Sequence, residues 1–324
     1  MLNILPALVA AIMLAAPLPA SAQVDDATAA LRVQDLRLAR ISERMLAANV
    51  TLCNATMPLT GMILHSRDQY SDQQAGWFTN GDVTIASVLP GSPAQLAGLQ
   101  ENDGIAALNA VAVDALARVE GEPRRDTVFD WIAAQESATL AITYRRGAQT
   151  HEADLAVPRG CRALVEILTE NGKTARSDGR VIQISYGMAG QLNDDELAVV
   201  FAHELAHSVL EHRRRLVAAG VSKGLLGEIG RNQQLNRQVE VEADRLGVHL
   251  LANAGYDPMI APQFWRSDMG NSAGGGMMRS WIYPSHNARA DIVEREIQRH
   301  LPLHAGPSWP GHLLDLRERG FNEN

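Results

Sequence analysis

The stretch Asn193-Asp-Asp-Glu196-Leu-Ala-Val-Val-Phe-Ala-His203-Glu204-Leu-Ala-His207-Ser-Val-Leu-Glu-His212 decides how the chain is read. Leu197, Val200, Phe201, Leu205 and Leu210 give a mostly apolar helix of the kind that is buried in a globular protein. Asn193 with Glu196 three residues on is a capping-box spacing, and the acidic residues there sit against the positive end of the helix dipole. Arg213, Arg214 and Arg215 close the other end, where cations are favoured. Inside this helix stand two histidines four residues apart, about 40° around the axis and roughly 6 Å along it, so both imidazoles reach one tetrahedral metal. Glu204 follows the first histidine on an adjoining face, from which a carboxylate takes a proton from an attacking water. Burying two imidazoles and a carboxylate without partners is costly, and a metal satisfies all three.

A metal that does chemistry keeps three protein ligands and one open position, so a third ligand is expected downstream. Glu240-Val-Glu-Ala-Asp244-Arg-Leu-Gly247 supplies a second helical pattern, with Glu240 and Asp244 one turn apart on one face. Glu242, roughly 200° round the helix from Glu240, is the rival. With HExxH followed in order by ExxxD, the chain resembles the M48 family of zinc metallopeptidases. The resemblance implies an α+β fold, a mainly helical zincin-type peptidase domain with a small edge-strand sheet. It also implies one Zn2+ per chain held by His203, His207 and Glu240, with Glu204 as general base and Asp244 orienting a ligand histidine.

Residues 171–185 look like the family's hairpin ahead of the active-site helix, with Asp178-Gly179 as the turn and Val181, Ile182 and Ile184 as strand residues. By that resemblance the strand over 181–185 is the cleft edge to which an extended substrate adds through backbone hydrogen bonds. An interior strand is the other reading of the same residues. Ser285-His286-Asn287-Ala288-Arg289 is similar to a histidine-bearing segment of the family, with Asn287 where the family has proline. The resemblance makes His286 an oxyanion stabiliser or a removable fourth ligand; an ordinary surface histidine is the alternative. His212, His249, His300, His304 and His312 carry no ligand pattern and read as ordinary histidines.

Residues 83–99 resemble the start of a PDZ domain of the type found in bacterial exported proteases. They read as a strand, a turn at Pro90-Gly91, then Ser92 as N-cap and Pro93 at the first position of a short helix that Gly98 ends. Asn102 and Ala110 stand where the family usually has glycine. A helix around 127–135 and a strand over 139–145 complete a small αβ unit. The expected organisation is a peptidase domain over 23–65 and 159–324, interrupted over 66–158 by a PDZ-like unit that presents peptide segments to the cleft or gates it.

Residues 2–18 are almost wholly apolar and end in Ala20-Ser21-Ala22, an A-x-A pattern, so residues 1–22 read as a cleaved signal peptide; an uncleaved membrane anchor is the alternative. The two cysteines, Cys53 and Cys161, agree with export and are expected to form one disulfide. A formal net charge of −8 argues against nucleic acid or an anionic membrane as the main partner. Residues 27–47 read as an amphipathic helix. The glycine-rich segment 218–230 suits a loop over the cleft or a peripheral membrane contact, and 270–276 reads as a second flexible stretch. Resemblance and export signals together imply a zinc endopeptidase of the cell envelope, in the periplasm of a Gram-negative bacterium, acting on unfolded, misfolded or unassembled proteins. A chaperone or assembly factor that holds clients with the PDZ-like unit and a latent cleft is the alternative.

Overall fold

Residues 20–221, 231–273, 285–301 and 306–321 are described in this computed structural model. The signal peptide expected over 1–22 lies outside them except for its last three residues, as do 222–230 of the glycine-rich segment, 274–276, and His304. Helix α1 (Ala20–Ala48) is longer than the expected 27–47 and already includes the expected cleavage point. It buries Leu38, Ile41, Met45 and Leu46, an i, i+3, i+7, i+8 stripe, against the helical body.

After α1 the chain enters β1 (Thr56–Pro58), whose antiparallel partner is the much later β8 (Arg159–Cys161), with Thr56 opposite Cys161. The expected disulfide joins Cys53 to Cys161 beside this ladder. Together they clamp the two ends of everything between. That interval holds β2 (Met62–Ser66), β3 (Val83–Val88), α2 (Pro93–Leu96), β4 (Gly104–Leu108), β5 (Val111–Ala112), α3 (Arg124–Ala133), β6 (Thr139–Arg146) and β7 (Gln149–Ala156). The strands form one antiparallel sheet in the order β2-β3-β4-β6-β7, with β5 paired to β4. Strand β2 starts at Met62, ahead of residue 66, where the sequence suggested the unit to begin. The sheet has its own core, in which Val83, Ile85, Leu108, Val128, Leu140, Ile142 and Leu155 pack together. Ser92 accepts from the backbone N–H of Gln95, the N-cap read from the sequence. Asn102 and Ala110, at the usual glycine positions, both have positive φ, 67° and 65°. For Ala110 that conformation costs about 1 kcal/mol.

The helical body follows. Strands β9 (Leu164–Leu168), β10 (Ala175–Ser177) and β11 (Val181–Ser185) lead into α4 (Tyr186–Ala189), α5 (Asp194–Val209), α6 (His212–Ala218), α7 (Arg231–Asn253), α8 (Ile260–Arg266), α9 (Asp268–Ala273), α10 (His286–His300) and α11 (Gly311–Leu314). Strand β11 pairs antiparallel with β10 on one side and parallel with β9 on the other, so the order is β10-β11-β9. The strand over 181–185 is therefore interior, and the reading that made it the cleft edge is corrected. The edge beside α5 is β10, and Ser177 Oγ lies 3.1 Å from Ser208 Oγ on that helix. The turn between the two strands is the expected one: Asp178 accepts from the N–H groups of Arg180 and Val181, and Gly179 has φ 89°. The stretch expected to be flexible from residue 270 begins instead inside α9, where a Cβ on Gly270 would stand 2.1 Å from the Phe264 carbonyl oxygen.

Charged residues on α3 and just ahead of it tie the sheet unit to this body. Arg125 pairs with Asp126 and Glu166, while Arg180 bridges Glu122, Asp126 and Asp130. The described residues thus form an α+β protein with two apolar cores joined by a clamp and a charge network.

Candidate metal centre

Helix α5 begins with the capping box read from the sequence. Asn193 Oδ1 accepts from Glu196 N, and Glu196 Oε2 accepts from Asn193 N. Its apolar positions are buried almost all round, which fixes the helix deep in the core. Helix α7 crosses it where small residues permit close approach: a Cβ on Gly247 would meet Ala202 and the backbone N of His203 at 3.7 Å, and Ala243 is fully buried. Leu235, Val239, Leu246 and Leu250 bury the same side of the helix. This crossing delivers Glu240 and Asp244 to the histidines of α5.

His203 Nε2 lies 3.2 Å from His207 Nε2 and 3.2 Å from Glu240 Oε2, and His207 Nε2 lies 3.5 Å from Glu240 Oε1. Ligand atoms about 2.0–2.1 Å from a tetrahedral zinc stand about 3.3–3.4 Å from each other, so the three donors fit such an ion. Glu204, adjacent to His203 on α5, is buried beside this group. Glu242, the rival third ligand, faces elsewhere: its carboxylate accepts from Arg215 at 2.5 Å, Gln238 at 2.7 Å and His212 at 3.2 Å.

Each histidine is backed by its own relay. His203 Nδ1 donates to Asp244 Oδ1 at 3.0 Å, and Arg289 grips both oxygens of Asp244 at 2.7 Å. The Arg289 guanidinium in turn lies 3.4 Å over the ring of Trp265. His207 Nδ1 donates to His212 Nδ1 at 2.8 Å, and His212 Nε2 donates to Glu242. These assignments leave both Nε2 lone pairs aimed at the same point, the tautomer a metal ligand requires.

His212 reaches His207 only because the helix breaks. In a continuous helix the two would lie about 140° apart. Instead α5 ends at Val209, Glu211 takes a left-handed φ of 51°, and α6 starts anew with His212 buried at its first position. The expectation that one helix runs on to Arg213, Arg214 and Arg215 is corrected accordingly, and so is the reading of His212 as an ordinary histidine. Arg215 is buried on Glu242. From the segment at 285–289 the residue that joins the network is Arg289, whose role no local pattern signals. His286 opens α10 one turn earlier, half-buried, outside the three gathered donors.

Burial works against charge on His203, but its hydrogen bonds and charge pairing with Asp244 and Glu240 outweigh it and push its pKa up to about 10, so without a metal Nε2 carries a proton that a bound metal displaces. Burial dominates at His207 and pulls it down to about 3. Glu240 and Asp244 are held below the usual carboxylate range: burial opposes ionisation, but the histidines and Arg289 prevail. The centre is built for carboxylates that stay ionised against a positive charge.

Residues 174–230, from the edge strand through the broken helix, match the model of peptidase family M48. A mitochondrial metalloendopeptidase OMA1 of Arabidopsis thaliana is 28% identical over 142 residues, covering 35% of this chain and 28% of that protein. Its namesake in Schizosaccharomyces pombe is 29% identical over 127 residues, covering 34% and 37%. The mitochondrial metalloendopeptidase OMA1 of Bos taurus is 26% identical over 178 residues, covering 42% and 34%. The chain thus spans about a third of the length of these relatives. Among solved structures, the HtrA3 PDZ domain bound to a phage-derived ligand is matched over 32% of this chain and 88% of its own, at 16% identity and a TM-score of 0.25. Among the described residues no helix is long and apolar enough to cross a membrane.

Proposed function

We propose that the protein is a zinc-dependent endopeptidase. The observation that carries this reading is the convergence of His203, His207 and Glu240 at tetrahedral spacing beside the buried Glu204. When bound there, zinc supplies Lewis-acid polarisation of a scissile carbonyl and acidifies the attacking water. Glu204 takes the proton from that water and delivers it to the leaving amine. Asp244 and Arg289 hold His203 in the required tautomer, and His212 with Glu242 does the same for His207. His286 stabilises the developing oxyanion or serves as a removable fourth ligand.

Extended or unfolded chains are the substrates that suit this cleft. Strand β10 is the edge next to α5, and a peptide added there binds through its backbone with little demand on sequence. The sheet unit over 62–156 acts as a PDZ-like module that delivers such chains. Export to the periplasm of a Gram-negative bacterium is supported by the A-x-A pattern at Ala20-Ser21-Ala22 and by the Cys53–Cys161 disulfide; cleavage after Ala22 leaves Gln23 as the new N-terminus of α1. The test is digestion of unfolded casein by the full chain with zinc, with a chelator, and as Glu204→Gln. Cleavage that the chelator and the substitution both abolish supports the proposal. Casein that is bound but left intact by the zinc-loaded protein contradicts it and favours the chaperone reading.

A further inference from the structure

We propose a second divalent-metal site, formed by His249, Glu296 and His312 with His300 as fourth donor, at the far end of helix α7 from the peptidase centre. His249 Nε2 lies 3.1 Å and His312 Nε2 2.7 Å from the same oxygen, Glu296 Oε1, and His300 Nε2 lies 3.9 Å from it. One ligand atom from each of His249, Glu296 and His312 falls within 4.8 Å of the others. The rings of His300 and His312 are stacked, with centroids 4.0 Å apart, and the Nε2 of each lies on the side of Glu296 Oε1. Three imidazoles from the end of α7, the end of α10 and the start of α11 therefore converge on a single buried carboxylate oxygen.

The surroundings orient the donors as ligands are oriented. His249 Nδ1 is 2.6 Å from Ser308 Oγ, and Asn253 Oδ1 accepts from the backbone N–H of Ser308, which fixes that serine. With Ser308 on Nδ1, the His249 ring is fixed with Nε2 toward Glu296 Oε1, the orientation in which a ligand imidazole is held. Arg245 holds the other carboxylate oxygen at 2.7 Å, leaving Oε1 for the imidazoles. His249 and Glu296 are buried, whereas His300 and His312 are about a third exposed, which gives an entry path from solvent. A donor set of three imidazoles and one carboxylate selects zinc or a neighbouring borderline metal such as nickel or copper over calcium or magnesium. Four protein ligands make the site structural. It pins α11 and the C-terminal end of α10, the helix whose N-terminal half supplies Arg289.

This inference does not rest on the peptidase reading and is tested apart from it. The full chain is stripped with chelator, equilibrated with Zn2+ alone at micromolar concentration, desalted, and analysed for metal by mass spectrometry. The expected content is two zinc ions per chain in wild type, one in Glu240→Ala, one in His312→Ala and none in the double variant. Because His312 is partly exposed, its replacement leaves the fold intact, as circular dichroism of the chelated proteins will record. Zinc also raises the melting temperature of Glu240→Ala but not of the double variant. One zinc in wild type together with one in His312→Ala overturns the proposal, and leaves His249 and His312 as hydrogen-bond donors to Glu296. So does a Glu240→Ala protein that binds none.

Discussion

Helix α7 carries one member of each imidazole–carboxylate cluster, Glu240 for the first and His249 for the second. Nine residues separate them, about 13.5 Å along the axis and half a turn around it, so the clusters face opposite sides of one helix. The first takes its other two donors from α5 alone and encloses them in two relays that end on Arg289 and Arg215. The second gathers its donors from three elements and stands open to solvent at His300 and His312. Similar side chains thus meet two different demands. In the proposed reading the first cluster keeps a buried carboxylate next to its donors for chemistry, whereas the second closes on a staple.

The largest expected effect is at Glu204. Glu204→Gln lowers peptide cleavage by about 10²- to 10⁴-fold while both clusters keep their metal, as a steady-state assay and metal analysis of the same sample will record. Loss of metal along with activity would erase the functional contrast between the clusters. Next comes Asp244→Asn, which removes the charge that Arg289 and His203 share. Zinc affinity at the first cluster falls about 10- to 100-fold and the second is untouched, measured by competition with a chromophoric chelator.

A third effect concerns Glu296. Burial opposes its ionisation, but His249, Arg245 and His312 win and hold its pKa at about 2. Because its folded value lies below its ordinary one, its contribution to stability is full above about pH 4.5 and is lost as the pH falls toward 2. In chelator, Glu296→Gln therefore costs about 2 kcal/mol at pH 7, and the gap to wild type closes in acid, read by urea unfolding at each pH. A constant gap would mean that the carboxylate's charge plays no part in the second cluster. The smallest effect is a control remote from both. Ala110→Gly relieves a positive φ and raises stability by about 1 kcal/mol, with no change in the metal content of either cluster.

The first cluster was largely legible in the sequence because its information is local. Two i, i+4 pairs, His203 with His207 and Glu240 with Asp244, need only helical geometry to be read, and the Asn193 capping box dates the start of the helix to the residue. What was not legible depends on geometry that local patterns do not carry. Glu211 breaks the helix in a left-handed conformation without a glycine to announce it, so the return of His212 onto His207 was hidden. The parallel pairing of β11 with β9 decides between the edge and interior readings of residues 181–185, and pairing across intervening chain leaves no mark on a five-residue pattern. Arg289 stood in plain sight three residues after His286, but its value comes from Asp244 and Trp265, brought to it by other helices. The second cluster, assembled from α7, α10 and α11, had no sequence signature at all.

The measurement that bears most directly on the account is zinc content paired with casein cleavage, in wild type and in Glu240→Ala. An active wild type is expected to hold zinc at His203, His207 and Glu240, and the variant to have lost one zinc ion and all cleavage. A Glu240→Ala protein that keeps full zinc content and still cleaves would rule out Glu240 as a ligand of a catalytic zinc.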